Sequence, residues 1–256
     1  MKILGLGHSH IVAIAKGCYE LQHQGATIGA ETITSAFVYL YDPQIMPTLL
    51  GGEGAPVINP RLAEIVAKEE AAFGLLSVGG NEHVAMSIAQ PREPFDFVLG
   101  ENPGLPLAER VVIVPEAGVR ETMREKMAST LATLSALRRA TSIPLFCLEP
   151  PPPLPDSRVL AYPQEFFRKA VDRAKLSSEL FRYKMWRVQS GLYRTACARE
   201  NITFIGVPER FVSSPGVLAE EAWGADASHA NPIFGAAMVR KAMEIMEARL
   251  AAGAGK

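Results

Sequence analysis

Apolar and polar positions along the chain fall into runs of two kinds. Short, almost wholly apolar runs have the pattern of buried strands: KILGLG at 2–7, TSAFVYLYD at 34–42, GLLSVGG at 74–80, IPLFCLE at 143–149 and NITFIGVP at 201–208. Between and after them, apolar residues recur at helical spacing in HIVAIAKGCYEL at 10–21, NPRLAEIVAKEEAAF at 59–73, GVRETMREKMASTLATLSALRRAT at 118–141, the stretch 163–200, and ANPIFGAAMVRKAMEIMEARLAA at 230–252. Punctuation agrees with this division. Asp42-Pro43 stops the second strand, and Asn59 caps a helix that has Pro60 at its first position. Strands alternating with helices predict βαβ units with right-handed crossovers. The expected fold is therefore α/β, a flavodoxin-like three-layer α/β/α sandwich around a central, mostly parallel five-stranded sheet. Ligands of such sheets bind outside the carboxyl ends of the strands. Ser9, Asn81 and Pro150 each follow the end of a predicted strand and belong to that edge.

Three segments fall outside the alternation. From His83 to about Arg120 the chain carries many prolines and glycines and is longer than an ordinary connection, so a long loop insertion over 83–120, a lid or a binding loop, is expected. PPPPLP at 150–155 reads as a stiff polyproline segment forming a cleft wall. Residues 251–256 read as a flexible tail, leaving 1–250 as a single domain.

Composition narrows the function classes. Lysine plus arginine (26) nearly cancels aspartate plus glutamate (27), which is not the charge balance of a nucleic-acid binder and suits a small uncharged substrate. The basic bias within 163–200 (Arg168, Lys169, Arg173, Lys175, Arg182, Lys184, Arg187, Arg194) reads as a solvated face, with Phe166, Phe167, Phe181 and Trp186 as core contacts. Cys18, Cys147 and Cys197 show no metal-ligand spacing and read as reduced core thiols. The first residues resemble no secretory leader, and no apolar run approaches the ~20 residues that span a bilayer. A cytoplasmic protein without membrane or nucleic-acid partners is expected.

The candidate chemistry centres on GLGHSH at 5–10, which admits three readings. As a dinucleotide turn it lacks the third glycine, and Asp42 lies well beyond the ~20-residue spacing of that motif. As a metal-dependent hydrolase site, His8 and His10 would turn toward one ion, with Asp226 and His229 completing the set, but no further His or Asp cluster ends the other strands and His23 sits on a helix. As a nucleophile, Ser9 needs a base, an orienting acid and oxyanion donors. GADASHANPIFG supplies Asp226 and His229 three residues apart, a spacing that lets the carboxylate reach Nδ1 of the imidazole while Nε2 faces a serine. GGNEH supplies the side-chain amide of Asn81. A non-catalytic binding module on the same fold is the remaining alternative, with Ser9 as a helix cap, His229 as a cap of the last helix and Asn81 bonding loop backbone.

GHSH, GGNEH and DASHANPIFG, in this order, resemble the sequence blocks of the SGNH hydrolase superfamily, the GDSL-like esterases and lipases. The resemblance implies Ser9 as nucleophile, His229 as general base and then acid, and Asp226 as its orienting carboxylate. It also implies an oxyanion hole of the Ser9 N–H, Asn81 and a glycine, with Gly52 chosen among Gly51, Gly52 and Gly54. His8 stands where the family usually has aspartate. The implied activity is hydrolysis of small acyl esters, O-acetyl groups on a sugar among them, without a cofactor or a metal. His83 and Trp223 are the expected substrate contacts, and Glu82 adjoins the expected oxyanion hole.

Overall fold

The computed structural model describes residues 1–51, 55–161 and 176–254. Five strands form the central sheet: β1 (Lys2–Gly7), β2 (Thr34–Tyr39), β3 (Phe73–Ser77), β4 (Leu145–Leu148) and β5 (Thr203–Ile205). Their spatial order is β2-β1-β3-β4-β5 and every pairing is parallel. This is the flavodoxin-like order, with its topological switch point between β1 and β3. The described helices are α1 (Ile11–His23), α2 (Pro60–Lys68), α3 (Glu82–Ser87), α4 (Glu116–Lys126), α5 (Ala128–Ala140), α6 (Asp156–Ala161), α7 (Glu179–Arg199) and α8 (Pro232–Ala254). No described helix is long and apolar enough to cross a membrane.

The two faces of the sheet feed two cores because successive side chains of a strand point to opposite sides. Ile3, Phe73, Leu75, Phe146 and Leu148 pack with Ile11, Ile14 and Cys18 of α1 and with Met238 and Val239 of α8. Leu4, Leu6, Leu76, Leu145 and Cys147 pack on the other side with Leu62 of α2, Met123 of α4, Leu134 of α5 and Val188 of α7. The inner strands β1, β3 and β4 are buried on both faces, which is why they read as continuous apolar runs rather than alternating ones. All three cysteines are buried free thiols.

Several boundaries differ from those expected. The second helix ends at Lys68, Glu70 takes a positive φ of 46°, and Phe73 opens β3 opposite Ile3 instead of closing the helix. The single helix expected over 118–141 is two, α4 and α5, broken at Met127 (φ −85°, ψ 1°). The segment 83–120 is not one loop: it holds α3, a two-stranded parallel pair (Phe95–Asp96 with Val112–Ile113) and the start of α4. The polyproline run packs inward and lines neither of the cavities at Ser9. Pro150 to Leu154 are buried, with Pro150 O accepting from Trp186 Nε1 and Pro153 O from Leu218 N. The solvated basic face is corrected in part: Arg182 and Lys184 of α7 are buried and paired with Asp156 and Asp96, while Arg194 is exposed. Phe166, Phe167, Arg168, Lys169, Arg173 and Lys175 lie outside the described residues. The last helix runs to Ala254, so residues 251–254 belong to it rather than to a loose tail.

Candidate active site

The chain leaves β1 at Gly7 and enters α1 at Ile11, which puts Ser9 on the turn at the carboxyl end of the sheet. That turn is stitched to the end of β3, across the switch point, by His8 N–H donating to Ser77 O (2.9 Å) and Gly79 N–H donating to His8 Nδ1 (2.8 Å). Gly79 and Gly80 turn the chain back with φ of +68° and +113°, values that residues other than glycine rarely take. The turn is held from below by buried polar groups of α7 and α5. Tyr193 donates to Val78 O (2.6 Å), Gln189 Nε2 donates to Gly80 O (3.1 Å), and Gln189 Oε1 accepts from His83 N–H (2.6 Å). Glu82 accepts from Gly80 N–H (2.9 Å) and from the Thr130 hydroxyl (2.6 Å). Asn81 is thereby delivered beside Ser9, and the two line one cavity of about 490 Å³ together with His8, Tyr41 and Thr130.

On the other side of Ser9 a second cavity, of about 510 Å³, is lined by Ser9, Lys16, Tyr39, Trp223, Asp226 and His229. Asp226 and His229 sit on the loop just before α8 and form a closed local unit. Asp226 Oδ2 accepts from His229 Nδ1 (2.7 Å), and its Oδ1 accepts the backbone N–H groups of Ser228 (2.8 Å) and His229 (2.9 Å). Burial pushes the Asp226 carboxyl upward. The His229 imidazole and the two backbone N–H donors outweigh it and hold the carboxyl well below the usual carboxylate range. With Nδ1–H given to the carboxylate, His229 presents Nε2 as a lone-pair acceptor. That atom is buried and has no hydrogen-bond partner among the described residues. No hydrogen bond joins it to Ser9 Oγ, so the structure brings serine and dyad to one cavity without closing the expected contact.

The sequence-derived residues are thus sorted. Ser9, Asn81, Asp226, His229 and Trp223 all line the two cavities that meet at Ser9. Trp223 is half-buried, its Nε1 donating to Leu218 O (2.8 Å). His83 lines neither cavity. It is buried between α3 and α7 against Gln189, and burial lowers its pKa to about 4, which corrects its expected role as a substrate contact. Gly52 and Gly54 lie outside the described residues, and Gly51 is exposed. The paired-histidine metal site is not assembled. His8 Nδ1 is taken by Gly79 N–H, His10 Nε2 meets Asn81 Oδ1, and no described group of His, Cys, Asp or Glu is arranged to hold an ion. Sequence reasoning read His10 only as a candidate metal ligand and missed Gln189 and Tyr193. The last two are four apart on α7, and buried polar residues at that spacing on a helix were the only signal they left.

No protein-family model and no curated protein sequence matches the chain. Solved structures do. An aryl esterase from M. smegmatis superposes with a TM-score of 0.50 at 11% identity, over 96% of this chain and 98% of that one. A candidate SGNH hydrolase from Slackia heliotrinireducens gives 0.48 at 14% identity over 95% and 98% of the two chains. A carbohydrate acetylesterase from Sinorhizobium meliloti gives 0.44 at 12% over 98% of each. The superposition on the aryl esterase bears on the fold, the α/β sandwich described above. At these identities the likeness extends to the fold, and the chemistry has to be argued from the residues.

Proposed function

We propose that this chain is a serine hydrolase of carboxylic esters, with Ser9 as nucleophile and His229 and Asp226 as its base and orienting acid. The observation that carries the reading is the buried, unpartnered Nε2 of His229, whose other ring nitrogen is fixed by Asp226, at the edge of the cavity that Ser9 lines. His83 Nε2 is unpartnered too, but only His229 combines a bare Nε2 with an Nδ1 held by a carboxylate and a place on the cavity that Ser9 lines. That combination suits it to take a proton. In turnover Ser9 Oγ adds to the ester carbonyl as its proton passes to His229 Nε2, and the imidazolium returns that proton to the leaving alkoxide. A water activated by the same nitrogen then releases the acid. Hydrogen bonds of this kind commonly tighten only when substrate is bound, so the open Ser9–His229 contact is the state expected without ligand. The oxyanion would be held by the Ser9 N–H at the α1 N-terminus, by the Asn81 amide nitrogen, and by a glycine N–H for which Gly52 is the sequence candidate.

Two cavities of similar size on either side of Ser9 suit a small ester with a modest group on each side of the carbonyl. Acetyl esters, O-acetylated sugars among them, are the substrates this reading favours, with Trp223 bordering the Asp226–His229 side. We further propose the cytoplasm as the place of action. The test is hydrolysis of a short-chain aryl ester by wild type, Ser9→Ala and His229→Ala, with a chelator control. Loss of ~10³-fold or more in both variants, with the chelator without effect, is expected. Activity that survives Ser9→Ala but vanishes with chelator would replace this reading by a metal-dependent one. An acyl series should show acetyl preferred over octanoyl in kcat/KM.

A further inference from the structure

His10 follows the nucleophile directly, and the hydrolase mechanism gives it no task. It is nevertheless 6% exposed, a costly place for an imidazole. Its Nε2 lies 2.9 Å from Asn81 Oδ1, and its ring stands 4.7 Å, centroid to centroid, from that of His229 at an interplanar angle of 52°. It therefore touches both the oxyanion donor and the base. Asn81 precedes α3 at a position where an asparagine ordinarily turns its oxygen onto the first helical N–H groups. Here it makes no such cap, and the N–H of His83 is taken by Gln189 instead. The Asn81 oxygen is left for His10.

An amide oxygen only accepts, so the contact requires His10 in the Nε2–H form. With its oxygen tied to His10, the amide plane of Asn81 is fixed and its nitrogen is directed away from His10, where it can serve the cavity shared with Ser9. The other ring tautomer would accept from the Asn81 nitrogen and turn the oxygen outward, where it would repel a developing oxyanion. We propose that His10 is a positioning residue, whose Nε2–H holds Asn81 Oδ1 so that the Asn81 amide nitrogen is presented to the substrate oxyanion. The proposal rests on the hydrolase reading above. Burial first, and then the neighbouring His229, bring the His10 pKa down to about 3. The ring thus stays neutral at ordinary pH and adds no charge beside the His229 imidazolium formed in turnover.

Four variants test it: His10→Phe, which keeps a ring beside His229 but removes the donor; His10→Gln, whose side-chain N–H can donate to the same oxygen; Asn81→Ala; and the His10→Phe/Asn81→Ala double variant. His10→Phe is expected to lower kcat by about 10²-fold with KM little changed, as for loss of an oxyanion donor. His10→Gln should recover about tenfold or more of that loss, and the double variant should be no slower than Asn81→Ala alone. A fully additive double variant, or His10→Phe within about threefold of wild type while Ser9→Ala is inactive, would overturn this inference and leave the hydrolase reading standing. Ester turnover unchanged in Ser9→Ala would overturn both. Long-range ¹H–¹⁵N spectra of the wild-type histidines give a readout that needs neither activity nor a folded variant. A protonated Nε2 on His10 is expected, and a protonated Nδ1 with bare Nε2 would refute the assignment.

Discussion

The two oxygens of Asp226 have separate tasks. Oδ1 closes the local turn on two backbone N–H groups, and Oδ2 holds His229 Nδ1–H. Asp226→Asn divides them. The amide oxygen can keep the turn, but the amide nitrogen cannot accept Nδ1–H, so the imidazole is driven to the tautomer that blocks Nε2. The expected outcome is a folded protein with kcat lowered by roughly 10⁴-fold, read in the aryl ester assay beside a thermal melt. A loss below tenfold would show that Asp226 does not orient the base. At this scale, legibility follows sequence distance. The Asp226–His229 pair was readable because three positions on one loop suffice to make it. The His10–Asn81 bond spans 71 positions and the His83–Gln189 bond 106. Nothing local reveals such partners, which is why His10 was read only as a candidate metal ligand and His83 was assigned to substrate.

Among elements, the contact between α1 and α8 governs the site, since α1 starts two residues after Ser9 and α8 starts three after His229. The two helices meet at glycines. A Cβ on Gly17 would lie 2.1 Å from Ala236 N, and one on Gly235 2.0 Å from Ala13 O. Gly235→Ala therefore has to push the helices apart, at a cost of about 1–3 kcal/mol, and with them the nucleophile and the base. A lowered urea midpoint together with a kcat loss larger than any change in KM is expected. An unchanged kcat would mean that the turns, not the helices, set the Ser9–His229 spacing. A second element-level lock is the buried pair Lys184–Asp96 (2.9 Å), which also binds Phe97 O and Pro106 O and so ties the 95–114 segment to α7. Lys184→Met leaves a buried carboxylate unpaired and should cost ~3–5 kcal/mol in chemical denaturation. Strand and helix types were legible because each buries a periodic face. The break at Met127 was not, since the apolar period continues through it, and neither was the burial of Lys184, whose partner lies 88 positions away.

For the whole molecule, the histidines make stability a function of pH. Burial comes first among the causes that lower His8 to about 4, His10 to about 3 and His83 to about 4. In the unfolded chain each would titrate near the ordinary 6.5. Above that pH both states are neutral and these groups have no effect on stability. Below it the unfolded chain binds protons that the folded one refuses, so stability falls as pH drops from 6.5 toward 4, by at most about 1.4 kcal/mol per pH unit for each histidine. His8 counts for less because its ring is partly exposed. Asp226 acts in the same direction but lower on the scale, since its depressed carboxyl must be protonated before its contribution is lost. The chain's formal net charge of −1 at pH 7 means that no large charge excess masks the effect near neutrality. Urea unfolding at pH 8, 7, 6, 5 and 4.5 should give a flat midpoint above 6.5 and a steady decline below it. His10→Phe should shallow that decline by one histidine's share, because neither state then binds a proton at that position. A midpoint constant from pH 7 to 4.5 would show that the three rings are open to solvent protons, and the buried His10 that fixes Asn81 would fail with them.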